Sequence, residues 1–235
     1  EVVTPLAGLS TPAQDDDPQA LAYGSVRLFR ERAGRAWPAF SPASEPVRSV
    51  IRICRLVAGL PLGIELVASW AAYFPYGEIE QALGENLAQQ KNALPGYSEA
   101  QHSLQAVCAF VWQGLTSAEQ TALASATVFH GSFSRAAFLA VTKARLTDLV
   151  SLNDRALVQQ DGVGRYVMHE RVRQFASRKL DTLIDGSEEA HNRHAEYYAN
   201  FLQTCDQALK SAGQPQAVAA IQLDLHNVHA VWQRA

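Results

Sequence analysis

Near residue 160 the hydrophobic period of this chain changes from helical to alternating, and then changes back. Ala156-Leu157-Val158-Gln159-Gln160 and Arg165-Tyr166-Val167-Met168 are two short strand-like runs. Asp161-Gly162-Val163-Gly164 joins them with turn chemistry, so the segment reads as a β-hairpin. An isolated hairpin is marginal in water and has to pack against something else. Its neighbours on both sides carry helical spacing, and three helical patterns followed by a two-stranded wing predict a winged-helix arrangement.

Upstream, Asp17-Pro18 reads as a helix start, with Asp as cap and Pro at the first helical position. Leu21, Val26, Leu28, Phe29 and Ala33 continue that pattern to about Gly34, and a Pro- and Ser-rich loop follows from Trp37 to Pro46. A second helix is predicted over 47–58, ended by Gly59. A third runs over 62–73 and is apolar almost all round, the mark of a buried helix. A shorter amphipathic helix covers 79–87. Leu94-Pro95-Gly96 is the first domain boundary.

Further helices are expected over 101–114 and from Ser117, with Ser117 and Gln120 spaced as a capping box. Ser134 is a candidate cap for 135–141, and Thr147 for the helix through Leu149, Val150 and Leu152. After the hairpin a long helix begins at His169 or Glu170. Beyond Asp185-Gly186-Ser187, helices over 191–209 and 217–232 form a hairpin that resembles the start of a TPR-like superhelix. The expected fold class is mainly α: a helical bundle, a winged-helix domain with a small β-hairpin, and a helical-hairpin segment.

With 48% hydrophobic and 18% charged residues, the chain has apolar material for a real core. A formal charge of −3 gives no electrostatic case for wholesale binding to nucleic acid or membrane. Cys54, Cys108 and Cys205 are odd in number and scattered. They read as buried small hydrophobes in a reducing compartment. The longest run without Asp, Glu, Lys or Arg, 100–118, is too polar to cross a membrane, and the first residues lack a signal-peptide pattern. A cytoplasmic location is expected. The opening Glu1-Val2-Val3-Thr4-Pro5, a short β-like run, suggests a piece of a longer protein.

Two motifs carry the functional signal. Gly59-Leu60-Pro61-Leu62 lies between helices, and Met168-His169-Glu170 lies where strand turns into helix. Together with residues 3–10 (VTPLAGLS), 26–33 (VRLFRERA), 53–66 (ICRLVAGLPLGIEL) and 166–176 (YVMHERVRQFA), they make the chain resemble bacterial members of the STAND/NB-ARC class of signalling ATPases over nearly its whole length. The resemblance implies that 1–16 end the nucleotide-binding core, 17–97 form a four-helix lid, 98–185 form the winged helix and 186–235 begin a helical-repeat sensor. It places Pro61 on the adenine, with Gly59 and Leu60 beside it, and His169 on the β-phosphate of ADP. It also implies ADP or ATP with Mg in the full-length protein, and oligomerisation on opening.

The sequence departs from that pattern in two ways. Glu170 stands where the motif has Asp, and no G-x-x-x-x-G-K-[ST] loop or strand ending in paired acids is present. This chain alone is therefore expected to be no enzyme and to hold no nucleotide by itself. A P-loop domain would be its missing intramolecular partner.

Blander readings compete with each assignment. His169 can simply cap a helix, and Gly-Pro is how one helix stops and another starts. A DNA-reading winged helix needs a basic recognition helix. The segment from Thr147 to Arg155 holds Asp148, Asp154 and Arg155, and the wing offers only Arg165, so DNA contact is expected to be unlikely. His191/His194 and His226/His229 have helical spacing, but nothing completes a metal set, and no Ser-His-Asp grouping forms a catalytic triad. The leading reading is the regulatory half of a nucleotide-dependent switch. The alternatives are a winged-helix DNA-binding regulator and a helical protein-interaction scaffold without nucleotide binding.

Overall fold

A computed structural model describes residues 8–36, 47–93, 96, 98–162, 164–180, 182 and 186–234. Expectations for residues 1–7, the loop 37–46, Leu94, Pro95, Val163 and Asp185 lie outside the described residues. The described chain is mainly helical with one small antiparallel sheet, the fold class the sequence implies. It divides into two compact units. The first runs to Gly114 and takes in Asp154–Ala156; the second comprises Leu115–Asn153 and the chain from Leu157 onward. No described helix is long and apolar enough to cross a membrane.

The first unit contains α1 (Gly24–Ala36), α2 (Val47–Leu56), α3 (Pro61–Ala68), α4 (Tyr76–Ala93) and α5 (Glu99–Gln113). Its core is apolar: Phe29, Ile51, Ile53, Ile64, Leu66 and Ile79 are fully buried. Phe29 meets Tyr76 edge-on at 5.2 Å. Several expected boundaries move. Asp17 does not cap α1; its carboxylate accepts from the Gln19 N–H at 2.8 Å and starts a 3₁₀ turn at Ala20–Ala22. The pattern over 62–73 splits into α3 and a 3₁₀ turn at Ser69–Ala72, where the Ser69 hydroxyl donates to the Leu66 carbonyl at 2.7 Å. The expected short helix at 79–87 is the middle of the 18-residue α4, which begins directly after Pro75.

The second unit holds α6 (Ser117–Ser125), α7 (Arg135–Thr142), α8 (Leu146–Asp154), β1 (Gln159–Gln160), β2 (Tyr166–Val167), α9 (Glu170–Leu180), α10 (Gly186–Leu209) and α11 (Gln214–Arg234). The α6 capping box sits one residue earlier than expected. Thr116 Oγ1 accepts from the Glu119 N–H, and the Glu119 carboxylate accepts from the Thr116 N–H at 2.7 Å. Ser134 caps α7 as expected. Thr147 does not cap α8; the Asp148 carboxylate reaches back to the Arg145 N–H at 2.9 Å instead.

The hairpin is shorter than the strand-like runs. Ala156 adopts φ +57°, and the Leu157 N–H bonds the Leu152 carbonyl, so Ala156 closes α8 rather than opening β1. Gln159 pairs with Val167 and Gln160 with Tyr166. Phe133 adds an isolated bridge to Tyr166 that the pattern did not reveal. Its ring joins a buried aromatic row, 4.5 Å from Phe129 and 5.9 Å from Phe138.

Candidate functional site

The Gly-Leu-Pro-Leu turn is built on two left-handed residues. Ala58 (φ +52°) and Gly59 (φ +66°) end α2, with the Ala58 N–H on the Arg55 carbonyl and the Gly59 N–H on the Cys54 carbonyl. The backbone of Leu9 lies directly on this turn, its N–H donating to the Gly59 carbonyl at 2.8 Å. A Cβ on Gly59 would stand 2.1 Å from the Leu9 carbonyl oxygen, so only glycine fits. Two of the sequence motifs, residues 8–10 and 59–62, are thus one local structure. Leu60 precedes α3 in an extended conformation, and Pro61 takes the first helical position with its ring exposed.

His169 is exposed and caps α9. Its carbonyl accepts the first helical bond from the Arg173 N–H, and its Nδ1 accepts from the Arg171 N–H at 3.1 Å. A neutral imidazole that accepts through Nδ1 carries its proton on Nε2, which is then left to donate. Glu170 is engaged on its own helix, bonded to Arg173 at 2.8 Å and to Gln174 at 2.9 Å. The Arg173 guanidinium holds the Glu170 carboxyl below its usual range. Pro61 belongs to the first unit and His169 to the second.

The densest polar construction lies elsewhere. Arg165, at the start of β2, is 9% exposed and does not face solvent as a phosphate-contacting wing residue would. Its guanidinium donates to the Asp224 carboxylate at 2.6 and 3.2 Å, to the Ser132 hydroxyl at 2.9 Å and to the Ser132 carbonyl at 3.0 Å. The Tyr198 hydroxyl donates to the same carboxylate at 2.8 Å. Asn227, fully buried one helical turn after Asp224, donates to the Ser132 carbonyl at 2.9 Å and accepts from the His130 N–H at 2.8 Å. One buried network therefore fastens the wing, the strand-like segment at Ser132–Phe133, α10 and α11 together. Burial and the adjoining Asp224 carboxylate push the Tyr198 hydroxyl pKa well up, so it stays a donor.

Sequence reading placed Arg165 on the wing but missed Asp224, Tyr198 and Asn227. The sequence carries little signal for them: Asp224 and Asn227 are three apart on a helix that also holds Gln214, Gln216, Gln222, His226, His229, Gln233 and Arg234.

Leu146, Thr147, Val150 and Asp154 are the exposed residues of α8, and Asp148 is buried. Arg155, just beyond it, stacks 4.5 Å from the Trp70 ring and 5.0 Å from Tyr73 within the first unit. Gly114 sits under that indole, where a Cβ would come within 1.9 Å of Trp70. Among the described residues, no group of three or more His, Cys, Asp or Glu is arranged to hold a metal.

Over 222 residues, 89% of its length, the chain is 30% identical to a protein of Mycobacterium bovis and to its counterparts in two strains of Mycobacterium tuberculosis. Each bears the provisional name of an HTH-type transcriptional regulator. The chain spans about a quarter of the length of these curated relatives (25%). No known family profile matches it, and no solved structure matches it.

Proposed function

We propose that this chain is an internal coupling region of a bacterial transcriptional regulator, in which the wing is read by the C-terminal helical hairpin. The observation that carries this reading is the burial of Arg165 against Asp224 and Tyr198. A wing cation committed to a carboxylate is lost to phosphate contact. In this reading 1–16 end a preceding core, 17–97 form a lid-like bundle, 98–185 the winged helix, and 186–235 the start of a sensor whose packing is transmitted through the Arg165 network. Similarity to proteins named as transcriptional regulators supports the class, and the exposed face of α8, which is Leu146, Thr147, Val150 and Asp154 and carries no cation of its own, supports a relay in place of a DNA reader.

The test is a pair of measurements. Fluorescence anisotropy of the chain with duplex DNA should show no affinity that falls steeply with salt. In a transcription reporter, the full-length regulator carrying Asp224→Asn should change its basal output. Salt-dependent binding by the chain alone would instead favour a DNA-contacting winged helix, the reading nearest to the relatives' name.

A second reading is favoured by a specific observation. His169 caps α9 while keeping Nε2–H available beside a helix N-terminus, and this suits a phosphate oxygen. The exposed Pro61 ring, held by the Gly59 turn, suits a purine face. These residues fit nucleotide contact in a full-length protein that supplies a P-loop domain, with ADP or ATP and Mg bound there. His169→Ala in that protein should speed ADP release and raise basal output. An unchanged ADP off-rate would remove His169 from the nucleotide contacts.

A further inference from the structure

α11 buries two polar side chains and exposes large apolar ones. Its inward face holds Ala217, Asp224 and Asn227. About a quarter-turn round the helix runs a second seam, Val218, Ile221, Leu225, Val228 and Trp232, spaced alternately three and four residues apart. Leu225 is 53% exposed and Trp232 80%; Val218 is exposed as well, and Ile221 and Val228 are half-buried. The helical rise makes this seam about 21 Å long. No ionised side chain borders it: between Gln214 and Gln233 the single Asp, Glu, Lys or Arg is Asp224, which is buried. A charge-free apolar seam with an exposed tryptophan is a docking face.

We propose that the occupant is the same seam of a second copy of this chain, paired antiparallel about a two-fold axis. Charge selects this partner. A two-fold sets each residue near its own counterpart, so an ionised seam would repel itself and a neutral one can close on itself. An acidic or basic partner would find no opposite charge along α11. The spacing fits as well. With the axis between positions 226 and 227, Ile221 of one copy faces Trp232 of the other, and Leu225 faces Val228. Each layer then sets a larger side chain against a smaller one. A single helix seam is smaller than the ~1,200–2,000 Å² of a standard interface, so the pairing is weak, with a Kd of about 10–100 µM. It needs no nucleotide, and it does not rest on the coupling role of Arg165, whose partner Asp224 lies on the inward face of the helix.

The experiment is sedimentation equilibrium of the whole chain without nucleotide, over about 1–500 µM, a range that brackets the expected Kd. The data should follow a monomer–dimer isotherm. Leu225→Glu, a change at an exposed position, should weaken association about tenfold or more and leave the urea midpoint of dilute protein unchanged. Leu225 and its two-fold mate lie less than one helical turn apart across the axis. Leu225→Glu and Leu225→Lys should therefore each be monomeric alone and form a heterodimer when mixed in equal amounts. The full-length regulator should lose the same step of self-association with Leu225→Glu. The proposal is overturned if the chain stays monomeric throughout the range, if Leu225→Glu associates as tightly as the parent chain, or if the two variants stay apart when mixed. It is equally overturned if the chain pairs but the full-length regulator does not pair through α11, an outcome that would give the seam to another segment of the longer protein.

Discussion

At Gly59 the side chain that is absent does the work. The left-handed φ and the Leu9 carbonyl together leave no room for a Cβ. Gly59→Ala should destabilise the first unit by more than about 1 kcal/mol, measured by urea denaturation. The Arg165–Asp224 pair is nearly desolvated on both sides, at 11% and 10% side-chain exposure. Removing one partner strands a buried charge. Arg165→Met alone should cost about 3–5 kcal/mol, and pairing it with Asp224→Leu should recover much of that loss. A simple sum of the two single effects would show that the pair is not coupled. His194 sets the response to acid. Its folded value, about 4, lies below the ordinary 6.5, so between those values the unfolded chain binds more protons. Stability from this group is full above about pH 6.5 and falls as pH drops towards 4, by up to about 3 kcal/mol. A urea midpoint that stays flat over that range, or a His194→Gln variant that keeps the full acid sensitivity, would contradict this assignment.

Among the elements, those written by local chemistry were legible in the sequence. The α7 cap at Ser134, the end of α2 at Gly59, the break between α10 and α11, and the start of α9 after His169 all follow from single residues acting within one turn. Elements that needed distant partners were misjudged in extent. Thr116 and Ser117 both open an S/T-x-x-E/Q frame. The Thr116 frame is the one used because it buries Glu119, whose second oxygen accepts from the Ser151 hydroxyl on α8. Thr116→Ala should therefore cost about 0.5–2 kcal/mol, and Ser117→Ala close to nothing, in the same denaturation assay. The strands shrank to two residues each because Ala156 is used to close α8, and Phe133 supplies a bridge that no local pattern announces. α4 runs through Gly84 to Ala93 because its apolar face, including the fully buried Ile79 and Leu83, packs on α2 and α5.

For the molecule as a whole, the two compact units each carry their own apolar core, and the motif residues are shared between them. If the coupling and nucleotide-contact roles proposed above both hold, Asp224→Asn in the full-length protein should alter reporter output without changing ADP release, and His169→Ala should alter both, as a reporter and a nucleotide off-rate assay on the same variants will read. The sequence alone determined the helical class, the hairpin and the turn that demands Gly59, because period, capping and φ > 0 are properties of neighbours in the chain. Only the tertiary structure decided the fate of Arg165 and the environment of His194. Burial, desolvation and ion pairing depend on residues such as Asp224 and Asn227, which lie about sixty and ninety-five positions from the wing and loop groups they hold.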